Sequence, residues 1–248
     1  MRKVWLFALT GVMAAGILGG CNNASSINES DGTGFVDPGT AGNITNDYPY
    51  IISDSGLFIR RDGSLSSADV EEFSAEYYDA EEFEQDYVVP AVKAYNEKQG
   101  LAFARASETE EKLPVALNSI KTDAGNLTMQ LDYMNAAEYL AFNKEINTYY
   151  DNWDTFVICP YADLVDYGIS MDASFIDTDG NAVDLNTVKT TTGLYACVMN
   201  FGGSLPTGFS GKLQFEGAVE YTTADIYIQS DNAVRVYDSE NLQYILFR

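Results

Sequence analysis

Between Leu127 and Tyr133 the side chains alternate without a slip: Leu127, Met129, Leu131 and Tyr133 against Thr128, Gln130 and Asp132. A period of two puts successive side chains on opposite faces of a strand, so one face is buried and the other wet. Such a strand needs partners beside it and a cover over its apolar face. Val115 to Lys121 supplies a partner strand, joined through the turn residues Asp123-Ala124-Gly125-Asn126. Asn135 follows as a helix cap with Glu138 at the reciprocal position, and Tyr139, Phe142 and Ile146 form an inner stripe for the cover.

The same order is written once before. Leu57 to Arg61 reads as a strand, Asp62-Gly63 as a two-residue hairpin turn, and Ser64 to Phe73 as the returning strand. Asp79 and Glu82 make a capping box, and Phe83, Tyr87, Ala91, Ala94 and Tyr95 recur at helical spacing. Pro90 inside that pattern is expected to kink or split the helix, and Gly100 to end it. The fold class expected is therefore α+β: tandem ββα units over residues 48–150, followed by a β-rich region over 151–248. In the latter, strands are expected at Thr155–Cys159, Ser174–Ile176, Ala182–Leu185, Leu194–Met199, Lys212–Phe215, Ala224–Gln229, Ala233–Tyr237 and Gln243–Phe247. A short helix fits Pro160 to Gly168. This region either forms a second domain or completes the first sheet.

The amino-terminal end carries a different kind of signal. Met1-Arg2-Lys3 is followed by an apolar run, from Val4 to Gly20, that is 17 residues long. A membrane span needs about 20 apolar residues. The run closes on Leu18-Gly19-Gly20-Cys21, a small pair before cysteine with leucine third from it. Charge, length and this ending agree on a lipoprotein signal peptide over residues 1–20, with Cys21 as the thiol that receives lipid. Two acyl chains anchor stably where one barely does. Residues 21–47 are rich in Asn, Ser, Gly, Thr and Asp and read as a flexible tether. The expected location is the bacterial membrane surface, outside the cytoplasm, with membrane lipid as a partner through Cys21.

Charge and residue types narrow the chemistry. The formal net charge is −23, and removing Arg2 and Lys3 leaves 12 basic against 37 acidic residues, or −25. A field of that sign repels phosphate backbones, which argues against nucleic acid, and attracts cations or cationic partners. The chain has no histidine. That removes Ser-His-Asp and Cys-His catalysis and the usual histidine-bearing zinc sites. Cys159 and Cys197 remain after Cys21; outside the cytoplasm they can pair, or each can sit as a free thiol in its apolar run.

Four patterns suggest sites, and each has a plainer reading. Nine carboxylates crowd Asp69 to Asp86, where calcium binding competes with a solvated strand edge and helix start. Asp177-Thr178-Asp179-Gly180-Asn181 resembles part of a calcium loop, but Phe175 and Asn186 stand where ligands belong, so a hairpin turn explains it better. A glycosidase-like pair of acids has no support from spacing. Tyr48, Tyr50, Tyr77, Tyr78, Tyr149, Tyr150 and Trp153 are candidates for an exposed aromatic surface, against which stands ordinary core packing.

Ile59-Arg60-Arg61-Asp62-Gly63-Ser64-Leu65, Val70-Glu71-Glu72-Phe73, Tyr77-Tyr78-Asp79, Val92-Lys93-Ala94-Tyr95-Asn96 and Ala137-Glu138-Tyr139-Leu140-Ala141-Phe142-Asn143 resemble a family of uncharacterised lipoproteins from anaerobic clostridial bacteria. The tail Tyr244-Ile245-Leu246-Phe247-Arg248 is similar more loosely. The resemblance implies lipid anchoring and supplies no activity, cofactor or catalytic residue. The expectation for function is a non-catalytic module that contacts an envelope protein or glycan, with no cofactor and no metal. The alternatives are a carboxylate-based hydrolase or calcium-dependent surface enzyme, and an accessory lipoprotein of a transport or envelope complex.

Overall fold

The elements of this computed structural model are described for residues 48–73 and 79–248. Cys21, the expected signal and tether over residues 1–47, Tyr77 and Tyr78 lie outside the described residues. Strand β1 (Gly56–Ile59) turns back into β2 (Leu65–Glu72). Their connection is longer than two residues: Arg60 N donates to Ser64 O, and the Asp62 carboxylate accepts from both Ser64 N and Oγ. Gly63 takes φ +84°, the left-handed conformation that such a loop asks of its last residue.

The first helical stretch comes in three pieces: α1 (Ala80–Phe83), a π-helical turn (Glu84–Val88) and α2 (Val89–Glu97). Asp79 caps it, accepting from Glu81 N and Glu82 N at 2.9 and 3.1 Å. Pro90 falls in the first turn of α2, where its missing N–H costs nothing, and the wide turn lies just before it. Strands β3 (Val115–Asp123) and β4 (Asn126–Tyr133) form a tight hairpin through Ala124 and Gly125, both at positive φ. Asn135 then caps α3 (Ala136–Ile146) by accepting from Glu138 N.

The rest is mostly strand: β5 (Thr155–Pro160), β6 (Phe175–Asp177), β7 (Ala182–Val183), β8 (Tyr195–Asn200), β9 (Lys212–Phe215), β10 (Val219–Thr222), β11 (Tyr227–Ser230), β12 (Ala233–Arg235) and β13 (Gln243–Phe247). A 3-10 helix covers Tyr161–Tyr167. Besides two short 3-10 turns at Ala106–Glu108 and Thr148–Tyr150, two elements escape the sequence reading. Leu185 opens a helix, α4 (Leu185–Thr190) capped by Asp184, rather than ending a strand. Val219–Thr222 is a strand despite its flanking loops, because β13 and β6 hold it from both sides.

The chain is mixed helix and sheet, α+β. One sheet runs β11-β12-β9-β1-β2-β4-β3 and the other β5-β8-β13-β10-β6-β7. The carboxy-terminal half completes the first sheet, since β9 pairs in parallel with β1 (Leu57 with Leu213, Ile59 with Phe215). The sheets share one core, in which Leu57, Ile59, Leu213, Phe215 and Val234 meet Ile158, Cys197, Met199, Ile245 and Phe247. Toward β2–β4 the same core is filled by Val88, Val92, Tyr95, Tyr139 and Phe142 from the helices. Trp153 is its hub, fully buried, with ring centroids of Phe201, Phe209 and Phe156 at 4.6, 5.0 and 5.0 Å. Its indole N–H is satisfied by Thr155 O at 2.8 Å. A second, smaller core on the far face of the other sheet gathers Cys159, Leu164, Phe175, Val188, Tyr244 and Leu246.

The cysteines fall on either side of that sheet. Cys197 is opposite Ile158 and Cys159 opposite Ala196, so the pleat sends the two thiols to opposite faces. Both are free and buried.

Candidate binding site

The inner face of the first sheet is apolar except along β2. There Leu65, Ser67, Asp69 and Glu71 share the face that β4 fills with Tyr133, Leu131, Met129 and Leu127, residue opposite residue. Strand β1 brings Leu57 across from Ser67. The acidic stretch that begins at Asp69 is thus not one solvated edge. Asp69 and Glu71 face the interior and are half-buried, whereas Glu72, Asp79, Glu81, Glu82 and Asp86 are exposed. Glu84 belongs to neither group, being paired with Arg105 at 2.5 Å.

Three elements close over Asp69. From α3 come Tyr139 and Asn143, one turn apart and therefore on one face. Tyr150 follows from the 3-10 turn after that helix, with its hydroxyl 3.2 Å from that of Tyr139. The third wall is Gly208-Phe209-Ser210, held to the start of β1 by Ser210 Oγ donating to Ser55 O at 2.6 Å. Ser55 in turn braces β2, since Val70 N donates to its hydroxyl. The cavity so enclosed measures about 20 Å³, room for one water-sized group.

Among the described residues that line this cavity, Asp69 is the single carboxylate, and none is a lysine or arginine. No hydrogen bond from a described residue reaches the Asp69 carboxylate. Burial, and secondarily the charge of Glu71, push its pKa up to about 7. Burial raises Glu71 as well. The phenols of Tyr133, Tyr139 and Tyr150 are all pushed far above the ordinary tyrosine value by burial, so they remain neutral hydroxyls. Ser67 Oγ lies 3.4 Å from Tyr133 OH, and Asn143 Nδ2 donates to Tyr139 O at 2.8 Å, leaving Oδ1 as its acceptor. Among the described residues the site is acceptor-rich, aromatic and without a base.

Other sequence candidates are dispersed. Asp177 spends its carboxylate on its own loop, accepting from Asp179 N and Asn181 N, and the segment closes the β6–β7 hairpin. Of the aromatics, Tyr149 is exposed while Tyr150 and Trp153 are core. Tyr50 stacks on Phe58 at 5.1 Å, on the opposite face of the sheet from Asp69. Asp69 itself was hidden in an acidic run; the signal for it is the alternation counted from Leu65, which sends residues 67, 69 and 71 inward.

An α+β sandwich with a small, acid-floored, aromatic-walled cavity at one end of its core defines the class of this molecule. No protein-family model matches the chain, and no curated protein or solved structure matches it.

Proposed function

We propose that the chain is a lipid-anchored extracytoplasmic binding module, built from two ββα units and a β-rich half, tethered through Cys21 at the bacterial membrane surface. It engages its partner at the Asp69 cavity. The observation that carries this reading is the size and chemistry of that cavity: it admits one small group, and offers it a lone carboxylate with hydroxyl and aromatic walls. Such a site grips the tip of a larger partner. The strongly negative surface supports attraction of a cationic one.

The raised pKa of Asp69 favours a second reading, a carboxylate-based hydrolase with Glu71 as the other acid. The two acids stand side by side on one strand rather than across a cleft, which supports it less well. The experiment that separates the readings is retention of envelope components on the full chain, compared with Asp69→Asn. Binding predicts a retained component that the variant loses and that elutes chemically unaltered. Recovery of a cleaved component would overturn it in favour of the hydrolase. For the anchor, a Cys21→Ser chain is expected in the soluble fraction, and unchanged membrane partitioning would overturn the tether.

A further inference from the structure

We propose that the group taken up by the Asp69 cavity is a protonated primary amine, the ammonium end of a lysine side chain or of a small free amine. The inference rests on the binding reading above and names its ligand class.

Charge argues against an anion, since the described residues lining the cavity include a carboxylate and no base. A hard divalent cation is ruled out by donor count. Calcium takes six to eight oxygens, several of them carboxylates, and one carboxylate is among the described residues lining this cavity. Among the described residues no group of three metal-ligating acids, cysteines or histidines comes together. A primary ammonium fits on each ground. It is close to water in size, as a cavity of about 20 Å³ requires. Its three N–H bonds need three acceptors. Among the lining residues, the Asp69 carboxylate, the Ser67 and Tyr150 hydroxyls and Asn143 Oδ1 are acceptors enough for that number, the Asn143 amide nitrogen already donating to Tyr139 O. The rings of Tyr139, Tyr150 and Phe209 line the same space and attract a desolvated cation through their faces. A quaternary ammonium, though also drawn to aromatic walls, is several-fold too large for the space.

The charged state of Asp69 is opposed first by burial and then by Glu71 on its own strand, with the neutral phenols of Tyr133 from β4, Tyr139 from α3, Tyr150 and, through the sheet, Tyr50 around it. Amine binding therefore strengthens as pH rises from 6 to 8, by up to about tenfold per unit while Asp69 is still protonated.

The test is titration of the full chain, followed by amide and side-chain NMR shifts and by calorimetry, with n-butylammonium, a blocked lysine dipeptide, tetramethylammonium and n-butanol at constant ionic strength. The first two are expected to shift Asn143 and Ser67 and to compete with each other; the last two are not. Asp69→Asn is expected to weaken both amines at least tenfold and Phe209→Leu about threefold, which keeps the test open if one variant folds poorly. A lysine peptide at least tenfold tighter than butylammonium assigns the source to a protein partner, and equal affinity assigns it to a free amine. Shifts from butanol equal to those from the amines, or amine binding unchanged in well-folded Asp69→Asn, would overturn the proposal. If envelope components are retained but butylammonium does not displace them, the binding module stands and the amine falls.

Discussion

Asp69 stands directly opposite Met129 in the β2–β4 ladder, a carboxylate in a row otherwise given to core packing. A group with a folded pKa raised above its unfolded value of 3.8 to about 7 favours the folded state only while protonated. Its cost is absent below pH 3.8, grows as pH rises between the two values, and is fully present above 7. The melting temperature is therefore expected to fall from pH 5 to pH 8. A three-unit shift is worth up to about 4 kcal/mol, and residual solvent contact at Asp69 brings the expectation to about 1–3 kcal/mol. Asp69→Asn should flatten the profile and stabilise the chain at pH 8. A melting temperature that rises from pH 5 to 8 would contradict this.

The opposite sign governs Asp62, whose carboxyl is lowered by its bonds to Ser64 against the pull of burial. Its contribution is present above the unfolded value and lost as pH falls through the lowered one. Stability should therefore decline again below pH 4. Asp62→Ala is expected to remove part of that acid-side decline, measurable by thermal melts between pH 2.5 and 4.5.

Gly217 lies so close to the carboxy terminus that an added Cβ would stand 2.2 Å from Arg248 O. That oxygen is held in place, because Ala218 N donates to it at 2.8 Å and Arg248 N returns to Ala218 O. Gly217→Ala is expected to cost about 1–3 kcal/mol as overpacking against backbone. Gly100→Ala has open space around it and only its φ of +83° to overcome, a cost of about 1–2 kcal/mol. Denaturant midpoints for the pair compare crowding with conformation alone.

Asn96 is fully buried, and its side chain replaces missing backbone partners: Nδ2 donates to Phe103 O and Val115 O, and Oδ1 accepts from Val115 N. Asn96→Leu fills similar volume but orphans three backbone groups, at about 1–3 kcal/mol for a buried group left unpaired. The prediction is a loss of at least 3 kcal/mol in chemical denaturation, and a loss below 1 kcal/mol would contradict it.

Cys159 and Cys197 should stay reduced after air oxidation, because closing a bridge would require one side chain to pass through a paired sheet. Burial pushes both thiols up, Cys159 to about 11. Neither is expected to react with a thiol reagent at pH 8 until the chain is unfolded. A linked peptide in a non-reducing digest would contradict the register of β5 against β8.

By itself the sequence determined those features that depend on a few neighbouring residues. The alternation of Leu127 to Tyr133, the caps at Asp79 and Asn135, the break at Pro90 and the stop at Gly100 each rest on side chains within four positions of one another, where backbone geometry leaves few options. The parallel pairing of β1 with β9, the face each cysteine takes, the burial of Tyr150 and Trp153, and the inward turn of Asp69 were decided only in the tertiary structure. Each depends on which distant strand or helix lies across a face. In Asp69 two local cues conflict, its acidic neighbours pointing outward and the alternation from Leu65 inward, and pairing with β4 and the cover of α3 decide for the interior.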